Sequence, residues 1–535
     1  MEKSPRLSSS DIEQATDVSS GGCATSNESP APPALPTFTP MQYRKLIWKL
    51  DLRLLPALFC LWFVSLIDRI NIGSANIYGI QKDLKMDPRS NDFNIALLVV
   101  QVGLITCEVP SNYLLKKTSP PIILAATSIL LAICTIGQGV ITNFSGLLAV
   151  RFFVGVFEAG LIPANPKLTI TDLWKGSVYV LSQYYPRYEL QWRLSMLMVG
   201  NAVSSAFGGL LAFAIADIKS SNGYSPWRWI FIIEGCMTVG VTILAYPFLP
   251  GWPATAKWLS VDEKAVLADR IQRQGIVGKM EVLNSKTMKR IVLDWKIYLL
   301  FVVLCFPFVL IINPRMMLTF HSGAVASCTT VTVYSTAIFA PTIIKQFEPT
   351  ASARYVQALV IPIFIAASVG CLAAAFASDK LKHRAGFALL GYLLIISGAV
   401  ILIYQDQVSS KTRYGALYLL AVGSYISLPM LWTMLVNNVS GSYKIGYAVA
   451  MEVGLGNVGG IASALLFQGK QAPKYRSGYK TILGMSCAAV GMIAIYTLAL
   501  WYENRARDAG KRDARLSDPD VDNLGDDHPQ FRYGY

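Results

Sequence analysis

The sequence predicts an all-α polytopic membrane protein with twelve transmembrane helices arranged as two six-helix bundles. Three observations carry that prediction. Apolar stretches of about 20 residues recur along the chain, separated by short polar loops. Of the 535 residues, 53% are hydrophobic and only 15% are charged, less charge than a soluble chain of this length carries. A long polar segment, 251–294, divides the apolar stretches six and six.

Residues 1–43 are rich in Ser, Pro, Thr and acids, without a signal-peptide pattern, and read as a disordered cytoplasmic tail. The predicted spans are 52–77, 94–115, 121–142, 146–165, 194–217 and 228–250, forming an N-terminal bundle over 44–250. After the loop 251–294 come 297–344 (interrupted), 355–378, 385–404, 413–436, 445–468 and 480–502, forming a C-terminal bundle over 295–502. Residues 503–535 read as a second cytoplasmic tail. Six helices plus six, joined by a long loop, fit a secondary transporter whose substrate site lies near the midplane between the bundles.

Lys and Arg favour one side of this topology by roughly two to one, the bias expected of cytoplasmic loops. Both termini are therefore expected in the cytoplasm. The net charge of +14 comes from bases in loops beside the spans rather than from one patch, so no nucleic-acid partner is expected. The expected surroundings are a lipid bilayer, with the chain a monomer in the plasma membrane. The nine cysteines show no CxxC or Cys/His pairing, and Cys60, Cys134, Cys371 and Cys487 read as small core residues. There is no P-loop, nucleophile elbow or metal-spaced His cluster, and only three histidines; the chain does not read as an enzyme, and neither a metal nor a cofactor is expected.

The first span holds the informative charges. Its apolar run Leu54–Ile67 makes only ~21 Å of helix. A bilayer core of ~30 Å requires the span to continue through Asp68 and Arg69 to about Ile77. Charges at that depth usually face a protein interior or a water-filled path. In span 4, Arg151 and Glu158 are seven apart and share a helical face, and Gly155 and Gly160 permit close helix contact. Asp68, Arg69, Arg151 and Glu158 are thus candidates for one substrate-binding and coupling site. A guanidinium matches a carboxylate with a planar fork, and a neighbouring acid can hold or release a proton. The proton is then the coupling ion and a small organic anion the partner. The plainer alternative is a set of permanent ion pairs that fix helix packing. Glu108, Tyr334 and Asn457 are weaker candidates. Glu234 and Glu452 read more readily as paired structural acids than as relay acids.

Several segments resemble a known family. Asp51-Leu-Arg53-Leu-Leu-Pro56, Ile67-Asp68-Arg69-Ile70-Asn71-Ile72-Gly73, Glu108-Val-Pro110-Ser111-Asn112, Arg151-Phe-Phe-Val-Gly155-Val-Phe-Glu158-Ala159-Gly160 and Trp227-Arg228-Trp229-Ile-Phe-Ile-Ile-Glu234-Gly235 resemble the major facilitator superfamily. More narrowly, they resemble the fungal allantoate permease branch of its anion:cation symporters. The resemblance covers roughly 45–505. It implies inward, proton-coupled uptake of a small carboxylate; members of the branch carry allantoate, nicotinate, pantothenate or biotin. It also implies coupling and substrate-linked roles for the matching residues, Asp68, Arg69, Arg151 and Glu158.

Two stretches depart from the family pattern. Residues 165–176 interrupt the run from Ala164 to Ser177, and residues 307–327 interrupt what the family has as a single span 7. Neither stretch resembles the family, and retained introns or a gene-model error would explain both. The alternatives to uptake are an efflux or sugar/polyol carrier of the same fold, which the paired arginines do not exclude, and a transport-inactive sensor or paralogue, which the insert in span 7 suggests.

Overall fold

In a computed structural model the description covers residues 38–87, 91–114, 120–158, 187–215, 224–249, 258–274, 328–381, 383–440, 459–468, 474–517 and 524–534, with isolated positions between them. Both stretches that depart from the family pattern lie outside the described residues. The described residues contain helices and no strand. We number the α-helices α1 (Pro40–Ile70), α2 (Ile72–Ile77), α3 (Ile80–Asp83), α4 (Asp92–Leu114), α5 (Pro120–Val140), α6 (Phe144–Glu158), α7 (Arg187–Ile215), α8 (Pro226–Ala245), α9 (Val261–Gln274), α10 (Cys328–Phe347), α11 (Ala353–Leu381), α12 (Arg384–Ile403), α13 (Ser410–Asn438) and α14 (Arg476–Asp508). Among the described residues seven spans are long and apolar enough to cross a bilayer, and each falls on a predicted one. Helices α4, α5, α6, α10 and the helical residues 459–466 fall on the other five.

The first span begins earlier than its apolar run. A capping box starts it: Gln42 N donates to the Thr39 hydroxyl at 3.4 Å, and Thr39 N donates to Gln42 Oε1 at 2.9 Å. Pro40 occupies the first turn, where no amide donor is needed. Helix therefore reaches into the segment expected to be tail. The span continues through Asp68 and Arg69 to Ile77, broken only at Asn71.

Packing follows the small residues. A Cβ on Gly155 of α6 would strike the Val100 carbonyl of α4 and come within 2.9 Å of Leu104 N, so the two backbones touch there. A Cβ on Gly73 of α2 would strike the Ile338 carbonyl of α10, joining the first half of the chain to the second. The halves also meet where α11 and α13 pack on α7. Trp227, Tyr184, Phe231, Phe364, Tyr392, Tyr425 and Tyr496 fill the interior. The cysteines are less uniform than the sequence suggests. Cys371 is buried, but Cys60 and Cys487 point outward, where an apolar thiol is tolerated on a surface facing lipid.

The segment expected as a C-terminal tail is packed. Residues 503–508 continue α14, and 524–534 fold back over the ends of α13 and α14. Lys444 Nζ meets the Asp526 carboxylate at 2.6 Å, both side chains fully buried. Arg507 donates to the carbonyls of Asp526, His528 and Phe531 at 3.0–3.1 Å. Asn504 and Tyr533 exchange two bonds of 2.9 Å, and Asn438 and Gly534 exchange bonds of 3.0 and 2.8 Å. Asn and Arg side chains thus satisfy the carbonyls that an irregular segment leaves open.

Candidate functional site

Ser65, Asp68 and Arg69 lie three and four positions apart, so α1 presents them on one face. Opposite them α6 presents Arg151 and Glu158, two turns apart. The four charged residues are 1–5% exposed. Arg69 Nε donates to Glu158 Oε2 at 3.1 Å, and a second guanidinium nitrogen pairs with Oε1. The pair is therefore a two-bond fork, the geometry in which Arg holds a carboxylate most strongly. Ser65 Oγ adds a hydrogen bond to Glu158 Oε1 at 3.3 Å. The remaining arm of Arg69 donates to the Tyr334 hydroxyl of α10. The guanidinium carbon stands 5.5 Å from the Tyr334 ring centre.

Asp68 behaves differently from its neighbour. Neither carboxylate oxygen makes a hydrogen bond. Thr135 of α5 stands beside it, but the Thr135 hydroxyl donates to the Leu131 carbonyl at 3.1 Å. Arg151 and Glu158 are within electrostatic reach of Asp68. Arg151 leaves Nε and Nη2 without partners and interacts with Asp68, Glu158 and Glu234. The sequence-adjacent acid and base are therefore not a pair: Arg69 belongs to Glu158, and Asp68 faces Arg151.

Glu234 is fully buried on α8; neither carboxylate oxygen makes a hydrogen bond, and Arg151 lies within its electrostatic reach. Its signal in the sequence was an acid inside an apolar span, and only tertiary packing brings it to Arg151. Tyr334 is the candidate aromatic that joins the cluster. Glu108 lies on α4, where its side chain is outside the described residues; Asn457 and Glu452 also lie outside them. Among the described residues no group of His, Cys, Asp and Glu is arranged to hold a metal.

A second polar patch adjoins the break at Asn71. Ser74 donates to Gln357 Oε1 of α11 at 3.4 Å, and Asn76 Nδ2 donates to Thr342 of α10 at 3.5 Å. Asn71 Nδ2 and Gln357 Nε2 are buried without hydrogen-bond partners. Ser74 with Gln357 and Asn76 with Thr342 bridge the seam between the halves.

Comparison with known proteins decides the family. The model of the Major Facilitator Superfamily matches residues 58–464. The chain belongs to the major facilitator superfamily. An uncharacterized transporter of Schizosaccharomyces pombe is 30% identical over 438 residues, which cover 82% of this chain and 80% of that protein. The MFS-type transporter efuF of Hormonema carpetanum is 30% identical over 502 residues, with 92% of each chain covered. The fold agrees with the proton:xylose symporter XylE, at a TM-score of 0.60 and 13% identity over 86% of this chain and 96% of that one. The protein is a multi-pass membrane protein of a transporter family, and its substrate is a small molecule.

Proposed function

We propose that this chain carries a small organic anion across the membrane together with a proton, by alternating access. The observation that supports this most is Arg69. It is a buried guanidinium forked onto Glu158 in the first half of the chain and bonded to Tyr334 in the second. A substrate carboxylate needs the same fork, so it competes with Glu158 for Arg69. Release of Glu158 then links substrate binding to an acid that must find a proton or another partner. Asp68 and Arg151 complete the site as a second acid and base at the same depth.

The motifs shared with the allantoate permease branch support uptake over efflux and a carboxylate as the substrate. The excess of basic residues on one side of the predicted topology supports cytoplasmic termini, with the plasma membrane as the location. The experiment is uptake of labelled allantoate, nicotinate, pantothenate and biotin into proteoliposomes, with and without an inward proton gradient. Gradient-driven accumulation of one of these anions is expected. Binding that never leads to uptake would make the chain a sensor, and equal uptake of uncharged sugars would remove the anion from the proposal.

A further inference from the structure

Helix α13 packs on α7, α10, α11 and α12, and α14 packs on α12 and α10; among the described residues the two do not pack along each other. Their far ends are nevertheless joined, because the strap 524–534 binds both. On the α13 side, Asn438 exchanges its two bonds with Gly534. Just beyond it, Ser440 N donates to Asp526 Oδ1 at 3.3 Å, and Lys444 Nζ meets the same oxygen at 2.6 Å. On the α14 side, Asn504 exchanges two bonds with Tyr533, and Arg507 donates to three strap carbonyls and to the Tyr533 hydroxyl at 2.8 Å. Asp526 sits between the two sides: its carboxylate serves Ser440 and Lys444, and its carbonyl serves Arg507. Beside the strap, the two helix ends meet through a long bond of 3.5 Å from Asn438 Nδ2 to the Tyr496 hydroxyl.

The end of α13 is poised to move. Pro429 lies inside the helix and has no amide to donate, so the Tyr425 carbonyl four residues back loses its bond within the helix. The Thr433 hydroxyl donates to the Pro429 carbonyl at 2.6 Å, a back-bond that favours bending. Near the tip, both polar atoms of the Asn437 amide are buried without a hydrogen bond. That costs free energy, which a different position of the helix end can recover. Above the proline α13 is anchored, since the Tyr425 hydroxyl donates to Asn201 Oδ1 of α7 at 3.2 Å.

The strap itself is built to leave. Its own backbone bonds are internal, and among the described residues none pairs it with the backbone of either helix, so neither helix unwinds when it goes. Lys444 and Asp526 then part into water and recover the hydration that burial removed, so their ion pair does not make the docking permanent.

We infer that the strap is a releasable latch: docked, it pins the last turns of α13 to α14, and released, it frees them to swing about Pro429. The latch acts away from the charged cluster and is independent of the cargo proposed above.

Hydrogen exchange of the chain in lipid nanodiscs, without substrate, tests this. Deleting 518–535 should raise exchange of the α13 amides 430–438 about tenfold or more, while the amides 414–424 above the proline keep the wild-type rate. Asn504→Ala weakens the strap from α14, on a residue whose bonds go to the strap and not to α13. It should raise exchange over 430–438 severalfold, which a merely local role of Asn504 would not do. Unchanged exchange over 430–438 in the deletion variant, or in Asn504→Ala where the deletion variant does not fold, overturns the inference. So does a rise spread evenly along the whole of α13, which would make the strap a general support. No substrate enters these measurements, so failure to carry a carboxylate would sink the functional proposal and leave the latch standing.

Discussion

Arg69 and Tyr334, 265 positions apart, meet through a hydrogen bond from the guanidinium to the phenol hydroxyl. It joins the charged cluster of the first half to α10 of the second. A hydrogen bond to a charged group contributes ~1.5–3 kcal/mol. Tyr334→Phe should therefore loosen the seam between the halves. A cysteine placed at Ser74 and labelled with a maleimide should react about tenfold faster or more in that background. An unchanged labelling rate would show that the bond does not hold the seam.

Arg69→Ala should abolish uptake, and it should also destabilise the chain. It leaves Glu158 buried without its counter-charge, which costs ~3–5 kcal/mol. The double variant Arg69→Leu with Glu158→Leu should recover thermal stability but not transport. Melting curves and uptake assays on the same preparations separate the two effects. Transport surviving in the double variant would remove Arg69 from the mechanism.

Glu158→Gln should retain exchange of labelled for unlabelled substrate across the bilayer while losing uphill accumulation. The amide can still accept from Arg69 and Ser65 but cannot alternate between charged and protonated forms. Counterflow and gradient-driven uptake in the same proteoliposomes provide the comparison. Normal accumulation would end the coupling role of Glu158.

Helix α9 docks on α1 through Glu263. Its carboxylate accepts from Lys49 Nζ at 2.9 and 2.8 Å and from Ser260 N at 2.9 Å. Burial alone would raise its pKa, but the Lys49 and Ser260 hydrogen bonds and the Lys49 charge outweigh it and hold the group below the ordinary glutamate value. A depressed folded-state pKa adds stability above the unfolded-state pKa, and that stability is lost as pH falls through the folded one. Docking should thus be constant near neutrality and weaken in acid below the ordinary glutamate range. Hydrogen exchange at the α9 amides, corrected for intrinsic rate, should rise there in the wild type. In Glu263→Gln it should be raised throughout.

Asp526→Ala should be among the most damaging changes outside the charged cluster, because it strands the fully buried Lys444. Loss of ~3–5 kcal/mol is expected. Lys444→Met combined with Asp526→Leu should be close to neutral. Thermal denaturation in detergent measures both.

The sequence and the structure agree where local geometry suffices. A short apolar run forces the first span through Asp68 and Arg69, and helical spacing puts Arg151 and Glu158 on one face. Gly155 announces close packing, and it meets the α4 backbone. What spacing cannot supply is which acid meets which base. Arg69 pairs with Glu158 rather than staying beside Asp68, because a residue and its neighbour point 100° apart around a helix. Glu234 and Tyr334 reach the cluster only through tertiary packing, from spans far along the chain. The strap at 524–534 was illegible for a related reason. Its composition is mostly polar, and it is buried by satisfying its backbone with Arg507, Asn504 and Asn438 while Leu524, Phe531 and Tyr533 supply the apolar contacts.

The seam at Gly73 has a kinetic consequence. At Gly73 the α2 backbone rests directly on the Ile338 carbonyl, with no side chain of that residue between the helices. Parting the two backbones at that point requires no rotamer to flip and no interlocked knob to withdraw. The joint can act as a bare sliding face, opening and closing with little friction, while the polar contacts beside it decide which position is held.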